Sequence, residues 1–194
     1  MTAEPWAPLA PAEAAELLAG LDASWWIAGG WAIDLYLGGG LREHADLDVA
    51  VLRDDATAVA AHLAGWDLHA VTAPGELTSW DGSPPPEHVH GLWARPTPAS
   101  PWAFELLLEE HEGDRWVYRR DPRVSLPLAD FGAVRDGLPL VAPEVALLFK
   151  AKSPDEKAEG DFAAVLPHLD ERRRAWLAGA LALLHAGHPW SERL

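Results

Sequence analysis

The stretches Trp26–Asp34, with the sequence WIAGGWAID, and Arg42–Asp48, with the sequence REHADLD, constrain the fold of this chain most. We expect a short apolar strand, a glycine turn into a helix, and a second strand that carries two aspartates. Because side chains alternate between the two faces of a strand, Asp46 and Asp48 should project from the same face. Two such carboxylates repel each other unless a cation lies between them, and Mg²⁺ is the usual cation.

The pair Gly29 and Gly30 predicts a phosphate site beside these carboxylates. Glycine lets the backbone approach a ligand closely, and the amides at a helix N-terminus attract anions. Backbone amides that bind phosphate, next to two carboxylates that bind a metal ion, are the minimum that phosphoryl or nucleotidyl transfer requires.

This order of motifs resembles the nucleotidyltransferase superfamily that includes DNA polymerase beta. It is most similar to the small branch that modifies aminoglycoside and lincosamide antibiotics, whose members carry Gly-Gly-Trp-x-x-Asp followed by Arg-x-His-x-Asp-x-Asp. The matching positions of this chain are, in order, Gly29, Gly30, Trp31, Asp34, Arg42, His44, Asp46 and Asp48. The similarity continues weakly through residues 142–150, Lys157 and Asp161, and so extends over most of the chain.

The resemblance implies an α+β nucleotidyltransferase fold, in which a mixed β-sheet is flanked by helices and the C-terminal third is mainly helical. We expect residues 1–141 to form the nucleotidyltransferase core, with a proline-rich loop at about 72–101. Residues 142–194 should form a helical part that packs on this core in one compact unit.

The local patterns predict individual elements as well. The predicted helices span residues 10–19, 31–37, 55–63, 143–152, 154–166 and 171–186. The predicted strands span 24–28, 47–52, 67–71, 88–94, 102–110 and 115–119, with a further short pair around a turn at 136–137.

Nucleotidyl transfer needs a third carboxylate, either as a ligand of a second metal ion or as the base for the acceptor hydroxyl. Glu105 fits this role best, because it interrupts an otherwise apolar strand at residues 102–108. Apolar neighbours should raise the pKa of Glu105 toward values that suit a general base. The alternative is an edge-strand glutamate that faces water, and Glu109 shares the strand face of Glu105.

Three cations are candidates for contacts with a nucleoside triphosphate: Arg42, His44 and Lys150. The resemblance places Arg42 and His44 in the Arg-x-His motif, and arginine can bind phosphate oxygens through two parallel hydrogen bonds. The alternative for this pair is solvation of the loop after Gly40. Lys150 lies on an apolar predicted helix, where a lone lysine commonly extends its ammonium group into water.

Other conspicuous residues have simpler interpretations. His88 and His90 have strand spacing but no clear third ligand for a transition metal. Lys157 and Asp161 are four residues apart on a predicted helix and are expected to form a solvated pair. The remaining expectations are a solvated helix face for Arg172–Arg174, core positions for Trp25, Trp26 and Trp176, and a substrate wall at Trp93 and Trp102.

Composition narrows the possible partners of the chain. Its 194 residues carry a formal net charge of −15, which repels nucleic acid and attracts cations, including Mg²⁺ and polyamine-like antibiotics. The same charge can serve solubility alone.

No cysteine is present, the first five residues do not resemble a secretory signal, and no apolar run is long enough to span a membrane. We therefore expect a cytoplasmic protein without a nucleic-acid or membrane partner.

These observations, with the resemblance, imply a transferase that moves a nucleoside monophosphate from ATP or another nucleoside triphosphate to a small-molecule hydroxyl. Two Mg²⁺ ions held by Asp46, Asp48 and Glu105 are the implied cofactor. An aminoglycoside-type antibiotic is the acceptor that the resemblance favours, and a lincosamide or a metabolite stays open. The alternatives are a toxin-type enzyme that modifies protein or tRNA, and a catalytically idle binding module with the same fold.

Overall fold

A computed structural model describes residues 5–194. The prediction that the first five residues form no secretory signal falls almost entirely on residues 1–4, which lie outside the described residues. The helices are α1 (Pro11–Leu17), α2 (Gly29–Tyr36), α3 (Ala56–His62), α4 (Leu128–Phe131), α5 (Pro143–Ala151), α6 (Glu156–Val165) and α7 (Glu171–Leu184). The strands are β1 (Trp25–Ile27), β2 (Asp48–Leu52), β3 (Asp67–Ala73), β4 (Glu76–Ser79), β5 (Gly91–Arg95), β6 (Phe104–Glu112), β7 (Arg115–Val117), β8 (Ser125–Pro127), β9 (Gly132–Arg135) and β10 (Leu138–Val141). The predicted α+β class with a mixed sheet and flanking helices is confirmed.

The strands form one sheet in the order β4-β3-β5-β6-β2-β1-β10-β9. In addition, β7 pairs with the C-terminal half of β6 on one side and with β8 on the other. β2 is parallel to β6 and β1 is parallel to β10, whereas the other neighbours are antiparallel. Parallel strands need a crossover connection, and here the chain between β2 and β6 supplies α3 and the edge strands β3 to β5. β2 therefore lies in the middle of the sheet, and its first residue, Asp48, is opposite Glu105.

Two predicted segments differ from the structure. The predicted loop at 72–101 contains β4, which pairs with β3, because Gly75 reverses the chain with a positive φ and lets the polar edge strand fold back. The strand predicted at 47–52 begins only at Asp48, since regular pairing with β6 starts there. Asp46 consequently lies before the strand and is exposed. The division of the chain at residue 141 stays a prediction.

The core is formed where the helices pack on the sheet. Three indole rings are almost completely buried, those of Trp102, Trp116 and Trp190. The predicted core residues Trp25, Trp26 and Trp176 are half-buried and pack against its edge. The prediction that Trp102 forms a substrate wall is wrong, because its ring is enclosed beside Trp93.

The arginine run on α7 is only partly a solvated face. Arg172 is exposed and pairs with Asp130 at 2.7 Å. Arg173 pairs instead with the buried Glu144 of α5 at 2.6 Å, and Arg174 donates to the carbonyl oxygens of Leu166 and Leu169. These bonds attach α7 to α5 and to the turn after α6. Among residues 5–194, no helix has the length and apolar character needed to cross a bilayer.

The packing of α5 yields a stability prediction. Leu147 is fully buried on α5, whereas the Leu183 side chain on α7 is 50% exposed. Leu147→Ala should lower the free energy of unfolding by about 2–5 kcal/mol, because the change loses apolar burial and leaves a cavity. Leu183→Ala is the matched control and should cost less than about 1 kcal/mol. Urea unfolding measures both, and equal losses would contradict the described core.

Candidate active site

A cavity of about 420 Å³ opens at the N-terminal end of α2 and continues over the face of β6. Its walls combine backbone at a glycine turn with many charged side chains. The charged residues that line it are Arg42, Asp46, Asp48, Glu109, Arg119, Arg120, Lys150 and Lys157. The cavity therefore brings together most of the residues that the sequence predicts, and adds some that it does not.

Gly29 and Gly30 form the first turn of α2 and line this cavity. Gly29 has a positive φ of 60°, and a side chain there would collide with the Asp48 carboxylate. A side chain at Gly30 would meet the Arg42 guanidinium and the His44 ring. Only glycine therefore permits the close approach between this turn and the charged side chains. The hydrogen bond from the Ala28 amide to the Asp48 carbonyl oxygen, at 2.8 Å, fixes the turn against β2.

Asp48 and Glu105 are neighbours on the parallel strands β2 and β6. Burial, and then the charge of Asp46, raise the pKa of Asp48 to about 6, while Lys150 opposes the rise. Burial, and then the charge of Asp48, raise the pKa of Glu105 to about 7, against a lowering contribution from Trp93. Each carboxylate thus makes ionisation of its neighbours harder. A cation placed between them would favour the ionised forms.

Two of the three predicted metal-binding carboxylates lie in the cavity, and the third is next to one of them on the sheet. Asp46 and Asp48 line the cavity, and Glu105 stands beside Asp48 on the sheet. Across residues 5–194, no three acidic, histidine or cysteine side chains are close enough to form a complete metal cage. Mg²⁺ is commonly held by one or two carboxylates, with water and substrate phosphates as the remaining ligands. The donor set at Asp46 and Asp48 fits an ion bound in that way.

Asp34 holds His44 in place. Asp34 is buried, accepts from His44 Nε2 at 2.8 Å, and accepts from the Leu41 amide at 2.8 Å. The His44 ring stacks on Trp31, with ring centroids 4.2 Å apart. The Gly-Gly-Trp-x-x-Asp motif therefore orients the histidine of the Arg-x-His motif. The predicted alternative, in which His44 solvates a loop, does not describe this enclosed ring.

Asp161 joins two of the predicted phosphate contacts. It is buried on α6, pairs with Lys150 Nζ at 2.9 Å, and accepts from Arg42 Nε and Nη2, each at 3.3 Å. The predicted solvated pair of Lys157 and Asp161 is wrong, because Asp161 faces α5 and the loop after α2. Lys157 lines the cavity instead.

Glu109 belongs to the cavity although the sequence indicates it only as a residue on the face of Glu105. Its side chain is 4% exposed and accepts from Trp116 Nε1 at 2.8 Å. Burial raises the pKa of Glu109 to about 7, and the Trp116 hydrogen bond opposes the rise. The strand alternation of 105, 107 and 109 is the signal that could have identified it.

Arg119, Arg120 and His90 line the same end of the cavity and were missed as site residues. The two arginines follow β7, which pairs with the C-terminal half of β6. Their position therefore depends on a strand pairing that local sequence patterns do not determine. His90 Nδ1 lies 3.2 Å from Arg53 Nη2, which is the donor because guanidinium cannot accept.

Comparisons with known proteins agree with this geometry. The family model described as aminoglycoside-2''-adenylyltransferase matches residues 12–74, which include the glycine turn and both aspartates. A solution structure of the antibiotic-resistance factor ANT(2'')-Ia has a TM-score of 0.58 and 19% identity, covering 91% of this chain and 93% of its own. A crystal structure of ANT(2'')-Ia with adenylyl-2''-tobramycin has a TM-score of 0.55 and 16% identity, covering 89% and 97%.

The lincosamide antibiotic adenylyltransferase LnuA, crystallised with lincomycin, has a TM-score of 0.53 and 16% identity, covering 79% of this chain and 92% of its own. No curated protein sequence matches the chain. The fold is that of the antibiotic nucleotidyltransferases. The predicted resemblance to this class of enzyme, and to its aminoglycoside-modifying members in particular, is thereby confirmed.

The glycine turn yields a prediction with a matched control. Gly29 and Gly38 both have a positive φ, but a side chain at Gly38 would meet nothing within 4 Å. Alanine at either position should cost about 1 kcal/mol of backbone strain. Gly29→Ala should also displace Asp48 and abolish nucleotide binding, measured by calorimetry, whereas Gly38→Ala should bind normally. Normal binding by Gly29→Ala would show that the close approach is not needed.

Glu109 yields a prediction about pH. Its folded-state pKa is raised from 4.5 to about 7, so its protonated form stabilises the fold below about pH 4.5, and this contribution is lost as pH rises to 7. Glu109→Gln keeps the Trp116 hydrogen bond and does not ionise. Its free energy of unfolding should therefore rise relative to that of the wild type by on the order of 2–3 kcal/mol as the pH increases from 4.5 to above 7. Glu112→Gln, at the exposed end of the same strand, should show no such gain. Urea unfolding at pH 4.5 and pH 8 measures the difference, and parallel pH profiles would contradict it.

Proposed function

We propose that this protein transfers a nucleoside monophosphate, AMP from ATP, to a hydroxyl group of a small molecule with the help of Mg²⁺. One observation supports this proposal above the others. The glycine turn at Gly29 lies in contact range of Asp48, and Asp48 stands beside Glu105 on the neighbouring strand. A turn suited to binding an anion and two carboxylates suited to holding a metal ion, those of Asp46 and Asp48, thus line one cavity, and this arrangement supports transfer between a triphosphate and a hydroxyl.

Asp46 and Asp48 would hold one Mg²⁺ ion, with water and phosphate oxygens as its other ligands, and Glu105 would add a ligand for the expected second ion. The raised pKa of Asp48 and of Glu105 arises from burial and from mutual repulsion, which a bound cation would relieve. A bound ion would neutralise phosphate charge and act as a Lewis acid.

The remaining residues bind and orient the nucleotide. The amides of Gly29 and Gly30 would cradle phosphate oxygens, and Arg42 and Lys150 would neutralise them. The predicted phosphate contact of His44 would be indirect, because its ring nitrogens bond Asp34 and Arg42 and so position Arg42. Asp34 fixes the His44 ring, and Asp161 fixes Arg42 and Lys150. The triphosphate would then lie along the cavity wall between α2 and α5.

Glu105 would accept the proton of the acceptor hydroxyl. The hydroxyl oxygen forms a bond to the α-phosphorus, the bond from that phosphorus to the bridging oxygen breaks, and pyrophosphate leaves. A carboxylate with a pKa of about 7 is suited to general-base chemistry near neutral pH.

The relatives suggest the acceptor class to test first. LnuA was crystallised with lincomycin and ANT(2'')-Ia with adenylyl-2''-tobramycin. An aminoglycoside-type antibiotic is therefore the first candidate acceptor. The chain's acidity disfavours tRNA as the substrate of a toxin-type enzyme. An idle binding module would not need the set of Asp46, Asp48 and Glu105 beside the turn.

A transfer assay with radiolabelled ATP, first against an antibiotic panel and then against a cell lysate, tests the proposal. Glu105→Gln should keep nucleotide affinity while lowering turnover by about 10²–10⁴, since the amide cannot take a proton. Asp48→Asn should lose nearly all transfer and the Mg²⁺-dependent part of nucleotide binding. Glu112→Gln is the control and should retain wild-type turnover.

Several outcomes would contradict the proposal. Transfer by Asp48→Asn within about tenfold of the wild type would refute the metal assignment, because tenfold corresponds to only about 1.4 kcal/mol of barrier. Equal nucleotide binding in excess EDTA would refute a metal-bridged complex. Loss of turnover in Glu109→Gln but not in Glu105→Gln would move the base four residues along β6.

A further inference from the structure

The cavity has a second end that the proposed nucleotide contacts do not use. Its polar residues are His90, Glu109, Arg119 and Arg120. β6 rises about 3.3 Å per residue, so Glu109 lies about 13 Å along the strand from Glu105. This separation is large enough to hold the acceptor molecule beyond the reacting hydroxyl.

Positive charge at this end is poorly compensated. Arg119 is half-buried, and within the described chain no carboxylate forms an ion pair or hydrogen bond with it. Burial, and then the charge of Arg120, lower the pKa of Arg119, and the charges of Glu109 and Glu110 only partly oppose this lowering. Arg120 donates from Nη1 to Tyr118 Oη at 2.8 Å and lies 5.5 Å from the centre of the Phe149 ring. Neither contact neutralises a guanidinium charge.

The acidic groups nearby do not remove this excess. Glu110 is paired with Arg53 at 2.7 Å. Glu109 has one oxygen bonded to Trp116, and its raised pKa keeps a large share of it neutral near pH 7. His90 accepts from Arg53 and is therefore held without a proton on Nδ1. A patch of positive charge, formed by the half-buried Arg119 and the exposed Arg120, thus persists at this end of the cavity in a protein whose formal net charge is −15.

We propose that Arg119 and Arg120 bind an anionic group, a carboxylate or a phosphate, on the acceptor molecule. The inference rests on the proposed function, keeps its transfer chemistry, and replaces its first candidate acceptor, an aminoglycoside-type antibiotic, with an acceptor that carries an anionic group. In the proposed function Arg42 and Lys150 contact the triphosphate at the Asp48 end, which leaves the arginine end for the second substrate. A polycationic acceptor would place its ammonium groups against two guanidinium groups, which costs energy in a partly desolvated cavity.

The first test uses inorganic sulfate as the anion probe. The protein is saturated with Mg²⁺ and adenosine 5′-(α,β-methylene)triphosphate, which cannot transfer AMP, and its melting temperature is measured against sulfate concentration. Sulfate stabilises proteins generally, so the informative quantity is the difference between variants. Arg119→Gln should lose the saturable part of the sulfate effect. Arg135→Gln, which removes an exposed arginine on β9, should keep it, and Arg119→Lys should keep part of it.

The second test uses every acceptor that the wild type modifies. For acceptors with a carboxylate or phosphate, Arg119→Gln should lower kcat/KM by about 10- to 100-fold, mainly through KM, as expected for a lost charged hydrogen bond. Arg135→Gln should leave kcat/KM unchanged. Modification of polycationic acceptors alone, unaffected by Arg119→Gln, would overturn the inference.

The sulfate test separates this inference from the proposed function. A sulfate effect that is equal in the wild type and Arg119→Gln would overturn the inference. An effect present in the free protein but absent after nucleotide saturation would assign the arginines to the triphosphate, and would overturn it too. Failure of the nucleotide analogue to raise the melting temperature would instead refute the proposed function, and sulfate titration of the free protein would still decide the anion site.

Discussion

Parallel pairing between β2 and β6 is the constraint on which the site depends. It sets Asp48 opposite Glu105, although the two residues are far apart in the sequence. The same pairing directs the carbonyl of Leu47 to the Glu105 amide at 2.9 Å and leaves the start of β2 against the glycine turn. A register shift of one residue would turn one carboxylate to the opposite face. Sheet geometry therefore brings the acidic groups together, against their electrostatic repulsion.

The glycine turn and the buried acids form the supporting layer of the site. Gly29 removes the side chain that would separate the turn from Asp48. Asp34 bonds His44, whose ring accepts from Arg42, and Asp161 bonds Arg42 directly, so this cation at the cavity wall is held in place from two sides. Burying such acids is favourable only because each one is paired. Rigid support of this kind fixes side-chain positions before any ligand binds.

Much of the fold was predictable from sequence, because the relevant signals are local. Hydrophobic periodicity and glycine turns predict the elements around Gly29 and Asp48, and the resemblance supplies the class of fold. The partners of Asp161 were not predictable, since they lie on two other segments more than ten and more than one hundred residues away. Arg119 was missed for the same reason, whereas strand alternation already placed Glu109 on the face of Glu105. Their shared cavity depends on how β7 pairs with β6, which is a long-range property of the sheet.

The pairing of Asp161 has a consequence for affinity. In the free protein this buried acid already satisfies both Arg42 and Lys150. An anion that binds these cations must share them with Asp161 or displace Asp161 from them. Binding is therefore an exchange of ion-pair partners, because the cations are already paired in the free protein. The net gain is the difference between two sets of ion pairs, and it is smaller than the number of cations in the cavity suggests. In the proposed reaction, an exchange of this kind would help an anionic product to leave, because Asp161 would compete for the cations at each turnover.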